Sequence, residues 1–233
     1  MFTLYLRSFF NAISYIMNRI YGLQEVDQII YYDFETTGLN YFHDRIIEFA
    51  FLKENTDEEQ IENIHHISAI VNPCTPIQPM ITKITGLTNE ILRDAFQINV
   101  YTDKIISFLH IPRCNPYLIA HNGNNFDDIF LKKLLFNYEN ETYQKIKSKM
   151  KFIDTIHLAK KIVRTKNLTS YSLKALCNHY NVEAGTHRAL SDVKSLRVVY
   201  YHLIKDLAKE LNKKPLDLLN NPKEVYDWLY EFN

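Results

Sequence analysis

Two carboxylates stand close together at the end of an apolar run early in the chain. The run ends in Asp33-Phe34-Glu35 and is stopped by a Thr-Thr-Gly sequence, which predicts a buried strand followed by a turn. Because residues i and i+2 of a strand point to the same face, Asp33 and Glu35 would lie side by side. Adjacent negative charges repel each other and are costly to desolvate. A divalent cation would neutralise them; the alternative is a strand that simply ends in solvated acids.

A third acid is predicted at the start of a helix in the middle of the chain. Residues 117–120 form a short apolar run typical of a strand, and residues 121–124 predict a turn into a helix that begins near Asn125. Asp127 would lie close to the apolar face of that helix, and Asp128 is expected to be its solvated neighbour. Because the helix dipole favours an acid in the first turn, a structural role is the alternative for both.

A fourth acid and a histidine come near the start of the last long helix, which is predicted to end at Leu207. Asp192 lies four residues before Leu196 on the apolar side of this helix, so it is expected to face the sheet. His187 lies just upstream, on the loop or the first turn after Gly185. A loop histidine is most often an ordinary surface residue, and the inward acid beside it is what makes it a candidate for chemistry.

Three antiparallel strands are predicted to support the first two acids. The run that ends at Asp33 is followed by residues 45–52 and 61–71 with an acidic turn between them, which indicates a meander. Two short strands, residues 117–120 and 151–154, then alternate with helices. We therefore expect an α/β fold with a mixed five-stranded sheet, three antiparallel strands and then two parallel ones, flanked by helices on both faces.

The composition is that of a folded protein without a strong overall electric field. Of the 233 residues, 46% are hydrophobic and 13% aromatic, which argues against disorder. Basic and acidic residues both number 27, so the net charge is zero. The lysine-rich stretch 145–174 has a local excess of positive charge. It could be a solvated face of the protein or a surface that contacts phosphates. The three scattered cysteines form no disulfide framework and no zinc motif, so a reducing intracellular compartment, cytoplasmic or nuclear, is expected.

The first 21 residues are apolar and aromatic, and Arg7 and Arg19 are their only charged residues. Three interpretations are open. The segment could be an amphipathic helix packed on the domain, a helix that contacts a membrane surface, or an organelle-targeting segment. Arg7 interrupts the apolar run early, which argues against a transmembrane helix.

Four motifs in order carry a resemblance to a known family. They are Asp-x-Glu-Thr-Thr-Gly from Asp33, Ile-Thr-Gly-Leu-Thr from Ile84, His-Asn-x(3)-Phe-Asp from His121 and His-x-Ala-x-x-Asp from His187. Together they resemble the DEDDh 3′–5′ exonucleases, the DnaQ-like group of the ribonuclease H-like superfamily, over residues 28–207. The histidine subtype is favoured because position 188, where the tyrosine subtype has its tyrosine, is Arg.

The resemblance implies a metal-dependent hydrolase that removes nucleoside monophosphates from nucleic-acid 3′ ends. Two Mg²⁺ or Mn²⁺ ions would be held by the four acids, Asp33, Glu35, Asp127 and Asp192. His187 would act as the general base, because an imidazole pKa of about 6.5 suits proton transfer near neutrality. The implied substrate-binding residues are Glu35, Thr36, Leu87, His121 and Asn122.

The sequence allows two interpretations of Leu87. It precedes Thr88, the predicted N-cap residue of a helix, so it could be a hydrophobic staple that fixes the entry of the chain into that helix. By its position in the family motif it would instead pack on the terminal base, and such stacking tolerates many sequences.

The expected domain organisation is an N-terminal extension of residues 1–24, an exonuclease domain of residues 25–208 and a helical extension of residues 209–233. The expected partners are single-stranded 3′ ends and a polymerase or other replication or repair protein. DNA is slightly favoured over RNA, because the spacing from His121 to Asp127 is similar to that of the repair exonucleases. An exoribonuclease that trims RNA 3′ ends, a non-catalytic nucleic-acid-binding module and a structural or partner-binding protein are the alternatives.

Overall fold

The computed structural model describes residues 26–54, 64–110, 114–136, 141–163, 168 and 170–230. The three interpretations of the N-terminal segment therefore lie outside the described residues. The strands are β1 (Val26–Thr36), β2 (Ile46–Glu54), β3 (Ile64–Ile70), β4 (Cys114–Ala120) and β5 (Lys151–Asp154). The helices are α1 (Pro79–Thr85), α2 (Asn89–Arg93), α3 (Asn99–Leu109), α4 (Asp127–Phe136), α5 (Glu141–Lys147), α6 (Thr155–Ile162), α7 (Leu173–Tyr180), α8 (Ala189–Glu210), α9 (Pro215–Leu219) and α10 (Pro222–Tyr230).

The strands form one sheet in the order β3-β2-β1-β4-β5. β1 pairs antiparallel with β2, and β2 pairs antiparallel with β3. β4 runs parallel to β1, and β5 runs parallel to β4. The predicted α/β fold class, a mixed sheet of three antiparallel and then two parallel strands flanked by helices, is confirmed.

Helices cover both faces of β1, and its residues alternate between them. Tyr31 packs in a core cluster that includes Leu196 and Leu203 of α8. Tyr32 and Phe34 pack in the opposite cluster, which includes residues of α3 and α4. Asp33 and Glu35 follow Tyr31 by two and four residues, so their side chains point to the same face of β1, towards α8. There they lie at the end of an apolar strand.

The turn at Gly86 leads into α2 as the sequence predicted. Thr88 is the N-cap residue, and its hydroxyl accepts a hydrogen bond from the Ile91 amide at 3.3 Å. Leu87 is only 1% exposed and packs in a small cluster with Ile47, Ile77 and Leu92. Leu92 is the fourth residue of the helix, so the pair Leu87 and Leu92 has the arrangement of a hydrophobic staple.

The two C-terminal helices pack into the core that α8 forms with the sheet. Leu218, Val225 and Leu229 are buried in that cluster, and Trp228 is partly buried against it. The predicted boundary at residue 208 stays a prediction. Within the part of the chain that the structure describes, no helix is both long and apolar enough to cross a membrane.

Candidate active site

β1 positions two carboxylates at its C-terminal end, where the sheet meets α8. Asp33 and Glu35 are both partly exposed. Burial, and then the charges of Asp127, Glu35 and Asp192, raise the pKa of Asp33 well above its usual range. Burial and the Asp192 charge raise the pKa of Glu35 from 4.5 to about 7. The apolar strand therefore delivers the two acids into a place where negative charge is already dense.

Asp127 reaches the same place from the first turn of α4. Its carboxylate is 1% exposed and accepts a hydrogen bond from the Phe34 amide at 3.0 Å, which ties α4 to β1 between the two strand acids. Burial raises the pKa of Asp127 well above its usual range, although the hydrogen bond from Phe34 lowers it. A buried acid needs such a partner, and this one places Asp127 beside Asp33.

Asp128 is buried as well, which corrects the expectation of a solvated neighbour. Only 3% of Asp128 is exposed, and its carboxylate accepts a hydrogen bond from the hydroxyl of Tyr32. Tyr32 points to the face of β1 opposite Asp33, and the two acids at the start of α4 therefore bind different groups of β1, a side-chain hydroxyl and a backbone amide. The prediction failed because the partner lies 96 residues earlier in the chain.

The start of α8 supplies Asp192 and His187. Ligand atoms of Glu35, His187 and Asp192 all lie within 4.8 Å of one another, an arrangement that could hold a metal ion. Burial raises the pKa of Asp192, whereas the charge of His187 and a hydrogen bond with its backbone lower it. His187 is exposed, so its imidazole is open to water at the edge of the acid cluster.

The loop before His187 approaches Asp192 so closely that only glycine fits. A Cβ atom on Gly185 would lie 1.6 Å from Asp192 Oδ1 and 2.9 Å from Asp192 Cα. A contact under about 3 Å to the backbone requires one of the two segments to move. The sequence placed Gly185 only in the loop before His187, whereas the structure shows that it packs closely against Asp192.

Glu48 is a further acid at the site that was not predicted from the sequence. It lies directly across from Glu35 in the β1–β2 register and is 5% exposed. Its carboxylate accepts hydrogen bonds from Arg188, with Nη2 to Oε1 at 2.9 Å and Nε to Oε2 at 3.0 Å. The available signal was an acid within an apolar run of β2, but its partner Arg188 lies 140 residues away.

Asp154 is a second missed residue, and it organises the turn before α4. Its carboxylate accepts hydrogen bonds from the amides of Asn122 at 3.0 Å, Asn124 at 3.2 Å and Ile156 at 2.9 Å. Asn122 is in the left-handed conformation with φ of 65°. Asp154 thereby caps α6 and holds the turn that delivers Asp127.

The structure places the predicted substrate-binding residues unequally. Glu35 lies in the acid cluster, but Thr36 is 6% exposed and its hydroxyl donates to the Gly38 carbonyl. The Nδ1 atom of His121 lies 2.9 Å from Thr155 Oγ1, and burial lowers the pKa of His121 to about 4. The side chain of Leu87 is buried, so in this structure it is not exposed to contact a base. The structure supports the hydrophobic staple as its role.

The acid cluster has the chemistry of a divalent-cation site. All four acids have raised pKa values, each with burial as the leading cause, and each is influenced by other acids of the cluster or its surroundings. Such groups are destabilised as free carboxylates, and hard cations with oxygen ligands relieve that repulsion. The residues present therefore fit bound Mg²⁺ or Mn²⁺, and the pairing with an exposed histidine fits hydrolysis.

Comparison with known proteins shows which family the chain belongs to. The family model for exonucleases, RNase_T, matches residues 30–200. The chain is 30% identical over 198 residues to the PolC-type DNA polymerase III of Bacillus subtilis, covering 83% of this chain and 12% of that protein. It is 28% identical over 199 residues to the PolC-type polymerase of Caldanaerobacter subterraneus, covering 83% and 13%. The chain thus spans about an eighth of the length of these curated relatives.

Solved structures of exonuclease I share the fold. One has a TM-score of 0.64 at 19% identity, covering 88% of this chain and 43% of that one. The Escherichia coli enzyme in a zinc-bound complex with single-stranded DNA has a TM-score of 0.64 at 20% identity, covering 88% and 43%. The enzyme from Methylocaldum szegediense has a TM-score of 0.61 at 18% identity, covering 77% and 40%.

The fold and the matched family model place the chain in the class of exonuclease domains. This chain belongs to the RNase_T exonuclease family, and the resemblance to DEDDh, DnaQ-like exonucleases is confirmed.

Proposed function

We propose that this exonuclease removes nucleoside monophosphates one at a time from the 3′ end of single-stranded DNA. Asp33, Glu35, Asp127 and Asp192 would hold two Mg²⁺ or Mn²⁺ ions. The observation that carries the proposal is the convergence of four acids with raised pKa values and one exposed histidine at the end of β1.

The protein groups have separate roles in this proposal. When bound, the divalent cations would neutralise the carboxylates and lower the pKa of a water molecule that attacks the phosphate. His187, exposed and next to Asp192, would accept the proton of that water. Asp127, fixed by the Phe34 amide, would keep its ligand oxygen in place during turnover.

DNA is the proposed substrate because the matched relatives are DNA polymerases and a similar fold occurs in an exonuclease I complex with single-stranded DNA. RNA is the alternative that the assay must separate, since the choice depends on how the site treats the 2′-hydroxyl. The lysine-rich stretch is partly engaged within the protein: Lys145 pairs with Glu141 at 2.6 Å, and Lys161 donates to the Leu229 carbonyl at 2.8 Å. A polymerase or other replication or repair protein as partner stays a prediction.

The test is a gel assay with 5′-labelled single strands of matched DNA and RNA sequence, each with Mg²⁺, Mn²⁺ or EDTA. We expect a metal-dependent ladder that shortens from the 3′ end and is faster on DNA. His187→Ala should reduce the rate by at least about 100-fold, within the range for losing a general base. His66→Ala, which removes an exposed histidine of the edge strand β3, is the matched control and should be fully active.

Faster degradation of RNA would replace the proposed substrate while keeping the site. Wild-type activity of His187→Ala would remove the histidine from its proposed role. If neither strand is shortened with any metal, the non-catalytic binding module becomes the better account.

A further inference from the structure

His187 has an unusual backbone conformation for a residue with a side chain. Its φ angle is 56°, in the left-handed region, and the next residue, Arg188, is extended with φ of −130° and ψ of 124°. Non-glycine residues enter the left-handed region seldom and at a cost, so surrounding contacts must hold them there. The proposed general base therefore depends on contacts that fix the junction between its loop and α8.

Glu48 makes those contacts from the neighbouring strand. α8 begins at Ala189, and its N-cap residue Arg188 makes no side-chain capping hydrogen bond. The carboxylate of Glu48 takes over that function: Oε2 accepts from the Ala189 amide at 3.1 Å. The same carboxylate binds the Arg188 guanidinium through Nε and Nη2.

This arrangement, the Glu48–Arg188 clamp, consists of the Glu48 carboxylate, the Arg188 guanidinium and the Ala189 amide. Two parallel hydrogen bonds between a guanidinium and a carboxylate fix orientation as well as distance. Glu48 is 5% exposed, and its strand position is directly opposite Glu35. The clamp therefore ties the main chain on the C-terminal side of His187 to β2, the strand that pairs with β1 and its acids Asp33 and Glu35.

We propose that Glu48 and Arg188 are positioning residues that hold His187 for proton transfer. The proposal rests on the proposed function, in which His187 is the general base. The clamp should affect the rate of the chemical step more than substrate binding. It fixes His187 relative to Asp192 and Glu35, and its own polar groups are engaged in hydrogen bonds within the protein. A misplacement of a reacting group by about 1 Å can cost about 100-fold in rate.

The kinetic test uses the full chain and single-stranded oligonucleotides with Mn²⁺. Glu48→Gln keeps the size of the side chain, but its amide group would face the donors of Arg188. We expect kcat to fall by about 10- to 100-fold with KM changed less than about threefold. Arg188→Gln should behave in the same way, and the double variant should be no worse than the poorer single variant, because the two residues act as a unit.

A double-mutant cycle between Glu48 and His187 shows whether the clamp acts through His187. In a His187→Ala background, Glu48→Gln should lower the residual rate by less than about twofold. An equal loss in both backgrounds would overturn the proposal. It would also be overturned if Arg188→Gln raised KM alone while Glu48→Gln had no effect, because Arg188 would then be a substrate contact.

The matched control is Glu224→Gln, the same chemical change at an acid that pairs with Lys213. That pair lies beyond the far end of α8, a 22-residue helix about 33 Å long. This variant should retain wild-type kcat and KM.

A readout without turnover separates this inference from the proposed function. The ¹H–¹⁵N signals of the His187 backbone amide and ring, assigned through their loss in His187→Ala, should shift in Glu48→Gln and Arg188→Gln and stay unchanged in Glu224→Gln. Unchanged His187 signals in both clamp variants would overturn the proposal. Wild-type protein without any exonuclease activity would refute the proposed function alone, and the signals would still show whether the clamp positions His187.

Discussion

Neutralising one acid of the site should stabilise the metal-free protein. Glu35→Gln is the best single test, because burial and the Asp192 charge raise the pKa of Glu35 from 4.5 to about 7. A raised pKa means that the folded state binds the proton more tightly than the unfolded state. The contribution of Glu35 to stability is therefore complete below pH 4.5 and is lost as the pH rises through about 7.

The size of this loss follows from the pKa values. One pH unit of pKa change corresponds to about 1.4 kcal/mol, so the rise from 4.5 to about 7 amounts to roughly 3 kcal/mol for a mostly buried group. The charge of Glu35 also raises the pKa of Asp33 and Asp127, so its removal acts on them in the same direction. In EDTA, the advantage of Glu35→Gln over wild type should grow by about 3 kcal/mol between pH 4.5 and pH 8.

The assay is urea unfolding of both proteins in EDTA at pH 4.5 and pH 8, with thermal melting as a second measure. An advantage of about 3 kcal/mol corresponds to roughly 6–12 °C for a chain of this size. Saturating Mn²⁺ should stabilise wild type more than the variant, because cation binding to the folded state adds to its stability. Glu90→Gln, the same chemical change at an exposed glutamate of α2, is the matched control. If the difference in unfolding free energy between Glu35→Gln and wild type were the same at both pH values, the claim that burial and neighbouring acids destabilise the charged form of Glu35 would be refuted.

Three further variants test the packing around the site. Gly185→Ala should lower kcat by at least about 10-fold, because the added methyl group would displace Asp192. An unchanged melting temperature would show that the loss comes from a misplaced Asp192 and not from unfolding. Tyr32→Phe leaves the buried Asp128 without its hydroxyl donor and should cost about 1–3 kcal/mol in urea unfolding; unchanged stability would contradict the role of that hydrogen bond. Leu87→Ala should cost about 2–5 kcal/mol with little change in KM for oligonucleotides, and the reverse result, unchanged stability with a raised KM, would restore the base contact.

The local patterns of the chain predicted most of the fold. The strand ending at Asp33 was visible because an apolar run stops at a Thr-Thr-Gly turn, and its two-residue period placed Glu35 beside Asp33. The helical period placed Asp192 on the sheet side of α8 in the same way. The place of β4 beside β1 was not predicted, because local periodicity does not determine which strands are neighbours in a sheet.

Long-range partners account for what the sequence did not reveal. Asp128 is buried because Tyr32 lies across from it, and Glu48 is buried because Arg188 meets it from the start of α8. Neither contact has a local signature, since each joins residues about a hundred or more positions apart. Leu87 could not be assigned from the sequence for a different reason. An apolar residue just before a helix has the same sequence pattern whether it contacts a ligand or packs on the helix as a hydrophobic staple.

The central claim is that the acids at the end of β1 hydrolyse the last phosphodiester bond of a strand. The most direct measurement is single-turnover release of a radiolabelled 3′-terminal nucleotide from single-stranded DNA, comparing wild type, Asp33→Asn and the exposed control Asp217→Asn. The account predicts that wild type and the control release the label as a nucleoside monophosphate only with Mg²⁺ or Mn²⁺, and that Asp33→Asn releases none. Release at the wild-type rate by Asp33→Asn, or label that leaves in longer fragments, would contradict it.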